Sequence, residues 1–376
     1  MALDAIIISD SQKDSVSGSN PLKLKIQGKI ANIQVVNNFL SHQGRIELPI
    51  KYDGMKSWSS APKLNGLFLL SYLNQNKFQV ALINSFYEEE EKFINLLNEN
   101  PPAVIISTTF IHNKKSLFNL TQHIRALAPD IFIVVGGPFI YLSYMMLQRS
   151  SDRDYDTQSA KEDLLFLDID NEPPVNLFII SSRGEKILCE VLKCIIENRS
   201  IEDIPNTARL SGETYIFTSQ IDDVSDAPEV YIDWKSIPHN FFQTGVLPMQ
   251  ASNGCPFRCT FCNFNKDRRL LYIKPSDQLI CEMESVSNHG VQYIWFVDDN
   301  FRLGKGDLDS FCRNIIDRDI HLKWMSFMRA STLENVNAEL LRQAGCIEVQ
   351  LGLESADSQI LQNMNKQSTP ELYEKT

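Results

Sequence analysis

The chain has 376 residues, 43% of them hydrophobic and 22% charged, with a formal net charge of -11. That length allows two or three domains with cores of their own, and the composition is that of a globular protein rather than a disordered or fibrous one. An acidic balance without any basic run argues against nucleic acid as the main partner, and no apolar stretch approaches the ~20 residues of a membrane span.

The start, Met1-Ala2-Leu3-Asp4-Ala5-Ile6-Ile7-Ile8, lacks the basic residues and small-residue cleavage site of a secretory signal and reads as a short buried strand. Eight cysteines without export suit a reducing cytoplasm, where Cys189, Cys194, Cys281, Cys312 and Cys346 are expected as buried free thiols. Residues 10–60 are rich in Ser, Asn, Lys and Gly, with weak strand signals at 33–36 and 45–50. From Leu64 the pattern alternates: helix over 64–73, strand over 78–83, a helix opened by the acidic run 88–91, and strand over 103–107. A helix over 117–127, a strand over 131–135 and a sharp turn at Gly136-Gly137-Pro138 follow. Residues 148–174 read as a polar excursion, before a strand over 175–180 and a helix ending at Ile196. Continuous apolar strands between helices imply a doubly wound α/β domain with a ligand at the carboxyl ends of the strands.

This half resembles the cobalamin (B12)-binding Rossmann domain, whose pattern is a D-x-H-x-x-G loop, then a small hydroxyl residue, then a glycine pair. Ser107-Thr108-Thr109 and Gly136-Gly137 fit the later parts. The first loop falls on Ala61-Pro62-Lys63-Leu64-Asn65-Gly66, where only Gly66 is kept and Lys63 stands where a cobalt-ligating histidine would be. The resemblance implies cobalamin held without that histidine, near Gly66, Ser107, Thr109, Gly136 and Gly137. The glycines would let backbone approach a large flat ligand. His42, in Ser41-His42-Gln43-Gly44, is an alternative ligand, a surface-loop role being the simpler reading.

In the C-terminal third a strand over 247–252 delivers Gly254-Cys255-Pro256-Phe257-Arg258-Cys259-Thr260-Phe261-Cys262. Three thiolates this close can share one metal centre. A structural zinc site wants four ligands, and His239 and His289 lack finger-like spacing; a C-x2-C redox pair leaves Cys255 idle; a disulfide framework does not suit a long unexported chain. Three thiolates leave one iron of a [4Fe–4S] cubane open for a substrate. Further strands are expected over 292–297, 323–328 and 347–351, each followed by a helix.

The loop and this order resemble the radical S-adenosylmethionine (SAM) enzymes of the cobalamin-linked branch. The resemblance implies a [4Fe–4S] cluster on Cys255, Cys259 and Cys262, with SAM on the open iron. It puts Asp298 and Asp299 near the SAM amino end or the substrate, and Arg329 and Glu354 at the SAM carboxylate or ribose. Phe257 and Phe261 would pack the loop and keep water off the cluster. The fold expected is an N-terminal doubly wound parallel sheet over 1–225, a linker over 226–246, and a partial (βα) barrel over 247–376, with about four of the family's six βα units. A chain that stops after four units is expected to be truncated, or to be completed by a second chain. The function implied is SAM cleavage to a 5′-deoxyadenosyl radical for methyl transfer from cobalamin to an unactivated carbon of a small molecule or peptide. A flavodoxin or ferredoxin would supply electrons. Cyclisation or oxidation without methyl transfer, and a non-catalytic fragment that binds cobalamin or a partner, are the alternatives.

Overall fold

The computed structural model describes residues 2–11, 25–26, 29–30, 61–150, 160–222, 231–262, 271–303 and 308–376. His42, the expected strands over 33–36 and 45–50, and part of the expected linker lie outside the described residues. Two compact units divide the described chain, the first running to Ile232 and the second from Asp233, with Ala61 and Pro62 grouped with the second.

The first unit is built on a seven-stranded sheet. Its strands are β1 (Ala5–Ile8), β2 (Val80–Ile83), β3 (Ala103–Ser107), β4 (Phe132–Gly136), β5 (Leu177–Ile179), β6 (Thr207–Ser211) and β7 (Thr214–Phe217), in the order β2-β1-β3-β4-β5-β6-β7. The first five pair in parallel, with Ile8 opposite both Ile83 and Ile106. Their runs AIII and AVIIS are buried at every position, as parallel strands covered on both faces require. β6 and β7 form an antiparallel hairpin turning at Gly212, φ +61°.

Helices α1 (Leu64–Gln75), α2 (Glu90–Leu97), α3 (Lys114–Leu127), α4 (Pro138–Arg149) and α5 (Glu185–Ile196) connect these strands. The turn expected at Gly136-Gly137-Pro138 opens α4 instead: Gly137, φ +111°, is the N-cap and Pro138 the first helical residue. Proline suits that place because the first N–H of a helix has no intrahelical partner anyway.

The second unit carries a four-stranded parallel sheet in simple order, β8 (Val246–Met249), β9 (Tyr293–Phe296), β10 (Lys323–Met328) and β11 (Cys346–Leu351). Helices α6 (Ser276–Asn288), α7 (Leu308–Asp317), α8 (Ala338–Gln343), α9 (Ser358–Asn363) and α10 (Pro370–Lys375) complete it. This is the partial barrel the sequence implied. Trp324 is fully buried against Phe296, Phe301 and Phe311, so strands two and three share one aromatic core. No helix among the described residues is long and apolar enough to cross a membrane.

Of the thiols expected to be buried, Cys189, Cys194 and Cys312 are, but Cys281 is exposed and Cys346 half-buried. Cys281 lies on the outer side of amphipathic α6, whose buried residues are Leu279, Ile280, Glu282, Met283 and Val286.

Gly66 has a packing reason. A Cβ there would stand 2.6 Å from Ser9 Cβ and 2.8 Å from Leu82 Cδ1, so glycine is what lets α1 lie on β1 and β2. Gly66→Ala should therefore lower stability by about 1–3 kcal/mol, the usual cost of overpacking, read as a lower urea midpoint with an unchanged slope.

Candidate active site

The cysteine loop leaves β8 at a point fixed by Asp298, which is 1% exposed at the end of β9. One carboxylate oxygen accepts from the Ala251 N–H at 3.1 Å. The other accepts from the Ser252 hydroxyl at 2.7 Å and from the Ser252 N–H. Burial pushes the Asp298 carboxyl up to about 6, against the downward pull of these hydrogen bonds and of Lys274. Beyond this anchor, Ser252–Asn253 pairs antiparallel with Tyr272–Ile273. Arg302 Nη2 donates to the carbonyls of Asn253 (3.3 Å) and Gly254 (3.0 Å). Gly254, φ +74°, then makes the bend into Cys255.

The loop is held from its far side by the chain after α9. Thr260 N–H donates to Met364 O (2.9 Å) and Asn365 Nδ2 to Arg258 O (2.8 Å), while within the loop Cys262 N–H donates to Cys259 O (3.2 Å). Asn365 is in the left-handed region, φ +50°. Arg329, 8% exposed at the end of β10, lies with its guanidinium 3.7 Å from the Phe257 ring centroid. It also donates to Lys366 O and reaches Cys259 Sγ at 3.8 Å. Lys366 Nζ pairs with Glu354 Oε1 at 2.9 Å, and Glu354 has φ +67° just after β11.

The residues singled out in the sequence therefore divide. Cys255, Cys259 and Cys262 are half-buried thiols on one loop, which continues into residues outside the described ones. Among the described residues no three side chains already stand as one metal-ligand group. Asp299 is more exposed, and partial burial raises its carboxyl against the pull of the Gly254 backbone and Arg302. Asp298, expected at a ligand, is instead the buried anchor of the strand end, because three donors converge on a carboxylate out of solvent. Phe257 packs under Arg329, whereas Phe261 is 49% exposed and so covers less than expected. The sequence reading missed Ser252, Arg302 and the segment from Asn363 to Lys366. Their only signal is polar side chains beside tight turns.

In the first unit the strand order reverses about β1, which lies between β2 and β3. That is the switch point where open α/β sheets bind ligands. Asn65 Nδ2 donates there to Ser107 Oγ (2.8 Å) and to Ser9 O (3.1 Å), while its buried Oδ1 has no partner among the described residues. Ser107 Oγ and Thr109 Oγ1 are 3.2 Å apart. Thr108 binds Gly136 O through its N–H (2.9 Å) and its hydroxyl (3.0 Å). A Cβ on Gly137 would stand 2.9 Å from Thr108 Oγ1, and one on Gly136 3.4 Å from Ile179 Cβ. Gly66 and Gly137 are also required by packing and by backbone conformation. Lys63 is buried, 3.9 Å from Asp10 and 5.5 Å from the Phe110 ring centroid. Burial lowers its pKa, and Asp10 and Glu88 partly restore it.

The raised carboxyl of Asp298 has a consequence for stability. A folded-state pKa above the unfolded one favours the native state at low pH, and the gain is lost as pH rises through the folded value. The Asp298 contribution should fall between about pH 4 and 6, by at most roughly 3 kcal/mol. Asp298→Asn should remove that part of the pH slope in chemical unfolding and lower stability throughout, since an amide cannot accept from all three donors.

Residues 249–376 match the family described as the Radical SAM superfamily. Over 297 residues, 75% of this chain, the sequence is 23% identical to the anaerobic magnesium-protoporphyrin IX monomethyl ester cyclase of Cereibacter sphaeroides, and it spans 45% of that protein's length. The fold matches the radical S-adenosylmethionine methyltransferase TsrM of Kitasatospora setae, solved with tryptophan and a SAM analogue. That match has a TM-score of 0.61 and 17% identity over 99% of this chain and 64% of the other. It also matches the cobalamin-dependent SAM radical enzyme OxsB, solved with aqua-cobalamin and SAM, with a TM-score of 0.57 and 17% identity over 98% of this chain and 46% of the other. Residues 249–376 are thus similar to the Radical SAM superfamily, and the fold of the chain resembles those of TsrM and OxsB.

Proposed function

We propose that Cys255, Cys259 and Cys262 hold a [4Fe–4S] cluster with SAM at its open iron, and that the chain works with cobalamin in methyl transfer to an unactivated carbon. The observation that carries this is the placement of the C-x3-C-x2-C loop at the carboxyl end of the first strand of a parallel sheet. The exposed Asp299 and the Glu354–Lys366 pair stand at the ends of the second and fourth strands. The donor set fits the cluster: three partly exposed thiols on one loop are soft ligands for iron. A cluster held by these thiols would supply one electron for cleavage of SAM to methionine and a 5′-deoxyadenosyl radical. The chain's own part is to hold the loop through Asp298, Arg302 and Asn365, and to offer Asp299 and Glu354 as acceptors for the SAM ammonium and ribose. A flavodoxin or ferredoxin is the electron donor that such a low-potential centre requires.

The switch point of the first unit is the proposed cobalamin seat. It fits a ligand rich in amide groups: Ser107 and Thr109 offer hydroxyls, and Asn65 Oδ1 is a buried acceptor without a donor. When bound, cobalamin would supply the transferable methyl group. Lys63, buried beside Asp10, takes the place of a histidine ligand, so the corrin is held by contacts around it rather than by an imidazole from this loop. A second reading, ring closure without methyl transfer, is favoured by the 23% identity to a cyclase over three quarters of the chain. Product mass separates the two, because methylation adds one carbon.

Anaerobic incubation of the iron- and sulfide-loaded chain with SAM and a strong reductant should yield 5′-deoxyadenosine. Cys259→Ala should reduce the yield at least about a thousandfold, as removal of an essential cofactor ligand does. A cluster-loaded chain that leaves SAM intact with every reductant tried would overturn the catalytic reading. Asn65→Leu should weaken cobalamin binding about tenfold in equilibrium dialysis, the cost of losing one buried hydrogen-bonding group. An unchanged affinity would move the seat elsewhere.

A further inference from the structure

The resemblance assigns Arg329 to SAM, but its guanidinium is engaged inside the protein. Its Cζ lies 3.7 Å from the Phe257 ring centroid, Nη2 donates to the Lys366 carbonyl, and Nη1 stands 3.8 Å from Cys259 Sγ. The residue is 8% exposed. Its contacts link three pieces of chain far apart in sequence: the end of β10, the cysteine loop, and the turn after α9. The same two outer pieces are joined twice more, by Thr260 N–H to Met364 O and by Asn365 Nδ2 to Arg258 O. Arginine suits such a site because a planar fork can stack on a ring while donating from separate nitrogens; lysine offers one point charge.

We propose that Arg329 is a positioning residue for the cysteine loop, clamping Phe257 and Cys259 to the chain segment Asn363–Lys366, rather than a ligand of SAM. The clamp holds the middle cysteine of the loop in place and puts a positive charge at its sulfur. That Cys259 is a cluster ligand rests on the function proposed above; the clamp itself does not.

Hydrogen exchange on the full, metal-free chain reads the clamp directly. In Arg329→Gln the peptide covering residues 255–262 should exchange at least about tenfold faster, with β10 protection and the melting midpoint unchanged. Arg329→Lys should behave like the glutamine variant, since it keeps the charge and loses the fork. If Arg329→Gln unfolds globally, seen as lost protection in β10, the lysine variant carries the same comparison. Loop exchange equal to that of the unaltered chain would overturn the proposal. So would unchanged exchange together with a more than tenfold loss of SAM affinity in cluster-loaded Arg329→Gln, which would return the residue to SAM. Failure of the unaltered chain to take up a cluster would instead sink the proposed function and leave the exchange result standing.

Discussion

Asp298 sits out of solvent at the end of β9 and takes hydrogen bonds from the backbone of Ala251, and from both the backbone and the hydroxyl of Ser252. A buried carboxylate is costly unless donors surround it, so this one persists only with β8 and β9 in register and the chain turning at Ser252. The register supplies that condition: Met249 lies opposite Phe296, two residues before the anchor on each strand. Arg302, four residues on from Asp298, then catches the carbonyls of Asn253 and Gly254. Everything about the cysteine loop starts from this junction. Its far side is held by the turn after α9, through Met364 and Asn365.

The two units place their polar residues by the same rule. In each, polar side chains gather at the carboxyl ends of the strands: Asn65 bonds to Ser107 and to the Ser9 carbonyl in one, and Ser252 bonds to Asp298 in the other. Parallel sheets make this inevitable, since every strand ends at the same edge and the edge is where the backbone can leave the core. Asp298 is closed by its own donors, whereas among the described residues each unit also keeps a buried amide oxygen without a partner, Asn65 Oδ1 in the first and Asn300 Oδ1 in the second.

Much of the fold was legible because its strands are continuous apolar runs. Ala103–Ser107 and Lys323–Met328 begin and end where the sequence suggests. The β6–β7 hairpin was not, because Thr207–Ser211 and Thr214–Phe217 lie at the sheet edge and alternate too weakly to stand out. Helix α4 was missed because a glycine pair before proline reads as a turn, although proline at a first helical position is equally a start signal. The three cysteines announce themselves by spacing. The residues that hold them do not: Asn365 and Met364 reach Arg258 and Thr260 across roughly a hundred residues, a closeness only the folded sheet creates. The packing need for Gly66 and Gly137, set by contact with Ser9, Leu82 and Thr108, was not legible either. Strand-end acids were read alike, though burial gives Asp298 and Asp299 different work.

The central claim is that the thiols of one loop hold a cluster that leaves an iron open to SAM. Electron paramagnetic resonance of the reconstituted, reduced chain, recorded with and without SAM, tests it most directly. The account predicts the signal of a reduced [4Fe–4S] cluster whose g-values shift when SAM is added, and no such signal in Cys255→Ala, Cys259→Ala or Cys262→Ala. A cluster signal indifferent to SAM, or zinc bound in place of iron and sulfide, would contradict it.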